Sequence, residues 1–270
     1  MSLSKRLEEA RQAFIKGDIE ASAKAHTQKQ ITDSAKEKHG GASSQYLGNI
    51  VYGGLDGIIT TFAVVSGVAG ANLDTSIILI MGLANLFGDG FSMATGAFLS
   101  AKSDKEFYDR ERAREAWEVE HFPDGEANEL IEIYKQQGYP EEDALTMVAI
   151  KKKDSKRWVD AMMVEELGLM KDERKPISEA ITTFIAFSIA GVVPLLYYLV
   201  DLVFHFNFSS QTAFFISMGL SGLALFGLGA AKVLVTERNA IKSGFEMLVV
   251  GGAAAAVAYI VGALLKGFGG

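Results

Sequence analysis

Residues 49–73 read NIVYGGLDGIITTFAVVSGVAGANL, and Asp56 is the one charged side chain among them. As a helix rising 1.5 Å per residue, this stretch extends about 37 Å, enough for a hydrocarbon layer about 30 Å thick. Residues 75–101, TSIILIMGLANLFGDGFSMATGAFLSA, are as apolar, and Asp89 is their one charge. The connection at Asp74 allows only a tight hairpin, so the two helices run antiparallel. Working outward, residues 180–267 are again nearly all apolar or small, while 1–48 and 102–179 carry most of the charge. A soluble core mixes these residue types along each helix, so their segregation indicates a polytopic membrane protein with a polar insert.

The expected fold is all-α, with five transmembrane helices and a helical cytosolic domain inserted between spans 2 and 3. The spans lie near Asn49–Leu73, Thr75–Ala101, Ala180–Phe204, Gln211–Ala231 and Gly244–Leu265. The divisions are a tail over 1–48, spans 1 and 2 over 49–101, the insert over 102–176 and spans 3 to 5 over 177–270. Within the insert, helices are expected over Ser103–His121, Asp124–Gln137 with Asp124 as cap, Glu141–Lys151, and from Asp154 to Leu167 before Gly168. In the tail, Leu3, Leu7, Ala10 and Phe14 fall on one helical face, and Gly40–Gly41 marks a break. The Asp74 hairpin and the loop from His205 to Ser210 hold no Lys or Arg, whereas the connection after Ala231 carries Lys232, Arg238 and Lys242. The positive-inside rule therefore puts the tail, the insert and that connection on the cytoplasmic side. Gly82, Gly219, Gly222, Gly227 and Gly229 suit closely approaching helices and a tight bundle or dimer.

A net charge of −7 excludes a nucleic-acid partner, which would require a basic surface. No cysteine is present, so thiolate metal sites and iron–sulfur clusters are excluded. No short apolar core with a small-residue cleavage site opens the chain, so a cleaved leader is not expected. No Gly-rich phosphate loop precedes a Lys-Ser/Thr, which removes support for ATP-driven pumping.

Twenty of the thirty-three acidic residues fall between Ser103 and Lys175. Glu115 and Glu118 are three apart, as are Glu126 and Glu129, so each pair shares a helix face. Met162, Met163 and Glu166 add two thioethers and a carboxylate. Acidic runs are usually solvated faces, and Arg110, Arg112 and Arg114 are at hand to pair with some of these groups. In the membrane, Asp56 costs about 2.5–3.5 kcal/mol at mid-span, which marks it for function. Gly53, Gly57 and Thr60 share its face and would leave space for an ion. Asn85, Asp89 and Met93 recur every fourth residue as one stripe. An amide oxygen, carboxylates and a thioether suit Fe²⁺, Mn²⁺ or Co²⁺ better than Mg²⁺ or Ca²⁺. Glu118 and His121 form one Glu-x-x-His, half of a di-iron carboxylate motif, and no other histidine completes a second.

The runs Gly53-x-x-Asp56-Gly57-x-x-Thr60-x-Phe62-Ala63 and Asp89-Gly90-Phe91-Ser92-Met93-Ala94-x-Gly96, with Met162-Met163-x-x-Glu166 in an acidic insert, resemble the vacuolar iron transporter family. The resemblance implies five spans and a homodimer with the translocation path between subunits. It implies export of Fe²⁺, and often Mn²⁺, from the cytosol in exchange for protons, with no prosthetic group and no enzymatic activity. It also implies that Glu115, Glu118, Glu126, Glu129, Met162, Met163 and Glu166 form a cytosolic metal-binding domain, with Asp56 and Met93 lining the path. Co²⁺ and Zn²⁺ are further ions for the insert. A vacuolar-type or cell membrane is the expected location. Ala97 stands where the family often has Glu, which removes one carboxylate near the cytoplasmic mouth. Two other classes compete on the residues alone: a membrane-anchored di-iron-type oxidoreductase using Glu118 and His121, and a membrane metal sensor whose insert binds without transport.

Overall fold

A computed structural model of the chain describes residues 5–24, 26–34, 46–206, 208–232 and 239–268. Leu3, the Gly40–Gly41 break and Arg238 lie outside these, as does the side chain of Leu7. Among the described residues every regular element is helical and no strand occurs. In the tail the helices are α1 (Lys5–Lys16), α2 (Ile19–Lys24) and α3 (Gln28–Ser34). Ala13 is the buried residue of α1, while Phe14 is 84% exposed, so the expected apolar face containing Phe14 is not the one that packs.

Five helices are long and apolar enough to cross a membrane. The first is α4 (Leu47–Ala71), closed by Asn72 in the left-handed conformation at φ 58°. The Asp74 carboxylate then accepts from the Ser76 amide at 2.8 Å and starts α5. α5 runs unbroken over Thr75–His121, 47 residues or about 70 Å, where two helices meeting near Lys102 were expected. The change from apolar to charged residues at Lys102 alters solvation, not backbone geometry. Neither Gly nor Pro interrupts the winding there, and Lys102–Glu106 and Lys105–Asp109 pair across single turns at 3.6 and 3.0 Å.

α6 (Pro123–Gln136) departs from expectation at its start. Pro123 fills the first turn, where no N–H is needed, Phe122 is the capping residue, and Asp124 lies inside the helix. α7 (Glu141–Lys151) follows, and Asp154 caps α8 (Ser155–Ala161) by accepting from the Arg157 amide at 3.1 Å. A π-turn over Met162–Glu166 continues it, and Gly168 at φ 65° ends the run. The third span is split into α9 (Pro176–Gly191), a 3₁₀ turn at Val193–Leu195 and α10 (Leu196–Phe204), not the single helix expected. Pro194 has no N–H for the preceding turn. Its own carbonyl is satisfied by the Ser217 hydroxyl of α11 (Ser210–Ala231), which donates at 2.7 Å. In lipid such a repair is obligatory, because no water is available. α12 (Ala240–Leu265) completes the set, capped by Asn239, whose side chain accepts from the Ile241 and Lys242 amides.

The chain divides into two compact units, 1–95 with 178–270, and 96–177. In the first, α4 packs most extensively on α12, and α11 packs on both. Glycines permit this: a Cβ on Gly262 of α12 would overlap the Gly67 carbonyl, and one on Gly57 would overlap the Phe187 carbonyl of α9. Phe62, Val65, Val68, Leu195, Tyr198 and Ala255 form its apolar core. The second unit closes over Val119, Leu130, Tyr134, Val148, Trp158, Met162 and Met163. Full burial of a side chain such as Leu130 contributes about 1.5–3 kcal/mol.

Candidate metal centre

The membrane-spanning residues singled out by sequence are all half-buried: Asp56 on α4, and Asn85, Asp89 and Met93 on α5. Asp56 and Asp89 lie close enough for their charges to interact. The Asn85 side-chain nitrogen is buried and donates no hydrogen bond. Thr60 turns its hydroxyl back onto the Asp56 backbone carbonyl at 2.9 Å. The expectation that Gly53 and Gly57 leave space for an ion is not met. α9 fills that side, with the Thr183 carbonyl against Gly53 and the Phe187 carbonyl against Gly57, so these glycines serve helix contact.

In the insert the two Glu pairs come together, because α5 ends at His121 and α6 turns back immediately. Oxygens of Glu115, Glu118 and Glu126 lie within 4.8 Å of one another, and so do oxygens of Glu126, Glu129 and Glu166. Glu126 is common to both groups. Glu115 is fully buried and Glu126 nearly so. One carboxylate oxygen of each, Oε2, is shut from solvent and accepts no hydrogen bond. A buried acceptor left bare costs about 1–3 kcal/mol, more for a charged group, and two such oxygens beside one another are a place for a cation or a proton.

Burial raises the Glu115 carboxyl to about 7; the neighbouring charges of Glu166, Glu118 and Glu129 add to this, and Arg114 opposes it. Burial raises Glu126 to about 7 as well, reinforced by Glu115, Glu129, Glu118 and Glu166. Glu166 is raised for the same reasons, burial first and Glu129 next. These folded values exceed the ordinary one, so between about pH 4.5 and about pH 7 the folded chain holds more protons than the unfolded chain, and stability falls as pH rises through that window. The metal-free protein in detergent is therefore expected to melt several degrees lower at about pH 8 than at about pH 5. Saturating Co²⁺ should remove the difference, and a flat profile without metal would count against a proton-loaded cluster.

Met162 and Met163 are fully buried in the apolar core of the unit. The π-turn carries a hydrogen bond from the Leu167 amide to the Met162 carbonyl at 3.2 Å, five residues back. This winding, which nothing in the sequence announced, connects the two methionines to Glu166. π-turns inside helices occur often at functional sites. His121 turns away from the carboxylates: its ring stacks on Trp117 at 4.4 Å between centroids, and its Nδ1 bonds the Trp117 carbonyl at 2.8 Å. Among the described residues no histidine joins either carboxylate group, so the Glu118–His121 half-motif does not contribute to this cluster.

The sequence model of the VIT family matches residues 47–263. A protein named vacuolar iron transporter from Toxoplasma gondii is 41% identical over 267 residues, 96% of this chain and 88% of that one. Its namesake from Plasmodium falciparum is 34% identical over 98% of both chains. Vacuolar iron transporter 1 of Arabidopsis thaliana is 34% identical over 87% of this chain and 92% of its own. These relatives are named as transporters, not enzymes. With its spans, its insert and most of its length matched in this way, the chain belongs to the VIT family.

Proposed function

We propose that this protein exports Fe²⁺, and Mn²⁺ with it, from the cytosol across a vacuolar-type or cell membrane in exchange for protons, as a homodimer. The observation that carries the reading is the pair of bare, buried Oε2 oxygens of Glu115 and Glu126 inside a group of five carboxylates. Hydrated divalent ions exchange water readily for such oxygens, and the raised carboxyl values make protons their natural competitors. The insert, facing the cytosol, collects the ion through Glu115, Glu118, Glu126, Glu129 and Glu166, with the Met162 and Met163 thioethers favouring iron over magnesium. The ion then passes to Asp56, Asn85, Asp89 and Met93. Protons arriving from the far side take the carboxylates in its place and release it. A second copy is supported by the half-exposed state of that polar stripe, which bare lipid would penalise. The Lys and Arg content of the tail, the insert and the Lys232–Lys242 connection supports the cytosolic orientation.

The test is Fe²⁺ uptake by reconstituted vesicles. An acidic interior should drive uptake, and collapsing the pH difference should stop it; uptake indifferent to the gradient would end the exchange mechanism. Binding is a separate matter. Glu115→Ala combined with Glu118→Ala in the full-length protein should weaken Co²⁺ binding, read by calorimetry, by about 100-fold or more, since even loss of a supporting group costs up to about that. Unchanged affinity would reduce the cluster to ordinary surface charge.

A further inference from the structure

Arg114 sits within the acidic group. Its Nη2 donates to Glu115 Oε1 and its Nη1 to Glu118 Oε2. Its Nε donates to Glu111 Oε2 at 3.1 Å, and the other Glu111 oxygen is held by Arg110 at 2.7 and 2.9 Å. A guanidinium is a rigid fork that is never deprotonated, so it supplies a fixed positive charge and spans two carboxylates at once. Here the two it spans are would-be ligands, and each has one oxygen occupied by it. The same charge opposes the raising of Glu115 and Glu166. The side chain is 42% exposed, so the core does not lock it, whereas Glu111, one turn earlier and outside both carboxylate groups, offers it a second seat.

We propose that Arg114 is the cluster's resident counter-cation, which an incoming divalent ion displaces from Glu115 and Glu118 toward Glu111 and water. The inference rests on the reading of the cluster as a metal centre. Without metal, five neighbouring carboxylates repel one another and the guanidinium relieves part of that repulsion. With metal, the two positive charges compete for the same oxygens. The arginine therefore keeps the insert folded while empty and weakens its hold on the ion, which suits a domain that must pass its cargo on.

The experiment compares full-length wild type, Arg114→Gln and Arg114→Lys in detergent at one fixed pH. Co²⁺ affinity is read by calorimetry and melting temperature with and without Co²⁺. Arg114→Gln is expected to bind about tenfold more tightly, the scale of one partly screened charge pair. Its metal-free form should melt lower, and Co²⁺ should raise its melting temperature by more than in wild type. Arg114→Lys keeps the charge but not the fork and should fall between. Arg110→Gln, which loses only the bond to Glu111, should stay within about twofold of wild type, the error expected of a screened exposed charge. Equal or weaker binding by Arg114→Gln would overturn the proposal, the weaker result marking an orienting clamp. If that variant does not fold, Arg114→Lys decides: tighter binding supports displacement, equal or weaker binding ends it. Wild type that bound no Co²⁺ would remove the metal-centre reading itself, whereas wild type that bound it while the variants matched would remove the counter-cation alone.

Discussion

Replacing Asp56 with alanine is expected to lower Fe²⁺ uptake by reconstituted vesicles by about 100- to 1000-fold, the range that follows from losing one partner of a buried charge pair. The argument begins with cost. A carboxylate in the middle of α4 opposes insertion and contributes nothing to the apolar core, and its neighbours Gly53 and Gly57 are occupied by α9. Its partner in charge is Asp89 on α5, another carboxylate. Two acids facing one another in a lipid-spanning unit repel unless a cation or a proton joins them. That is the behaviour required of a site loaded from one side with metal and from the other with protons. Asp56→Asn keeps the shape and removes the charge, so it should fail as completely as alanine. Co²⁺ binding by the insert should persist in both variants, because no residue of the acidic cluster is altered. Uptake surviving in either variant would take Asp56 out of the path.

The second large effect is structural. Gly57→Val is expected to destabilise the spanning unit by at least about 3 kcal/mol, the upper end for overpacking, or roughly 6–12 °C in melting temperature. A Cβ there meets the carbonyl oxygen of Phe187 and the amide nitrogen of Gly191, which are backbone atoms of α9 and cannot rotate aside. The same residue type at Gly219 provides the control. Nothing lies within 4 Å of a Cβ built there, so Gly219→Val should cost under about 1 kcal/mol. A thermal melt of the two variants in detergent distinguishes them; equal melting temperatures would mean that α4 and α9 are not held as closely as described.

Much of this architecture was legible because lipid imposes one rule on residues 49–101 and 180–267 and water another on the rest. Hydropathy reports transfer free energy, however, and is silent on backbone continuity. It therefore divided α5 at Lys102, where only the solvent changes, and ran through Pro194, where the chain loses an N–H and the helix breaks. Capping went astray for a related reason. Asp124 has the right chemistry for a cap, but Pro123 beside it is better suited to the first turn and moved the start to Phe122. Spacing of three correctly put Glu115 with Glu118 and Glu126 with Glu129. That the two pairs meet depends on the immediate reversal at Phe122, a tertiary fact. The same limit applies to Gly53 and Gly57: smallness was visible in the sequence, but its use, contact with α9, depended on which helix arrived. Arg114 was recognisable as a partner for the acids, though not its grip on two of them at once.

The turn over Met162–Glu166 has a consequence for how such a cluster is gained or lost. Its carbonyl-to-amide span of five residues takes up one residue more than ordinary winding would. Deleting Val164, which is exposed and touches no carboxylate group, would let the coil revert, and everything after it would rotate by about 100°. Glu166 would swing out of reach of Glu126 and Glu129 while every ligand stayed in the gene. A lineage could thus abandon or recover the binding of metal by slipping one codon, with no change of any coordinating side chain.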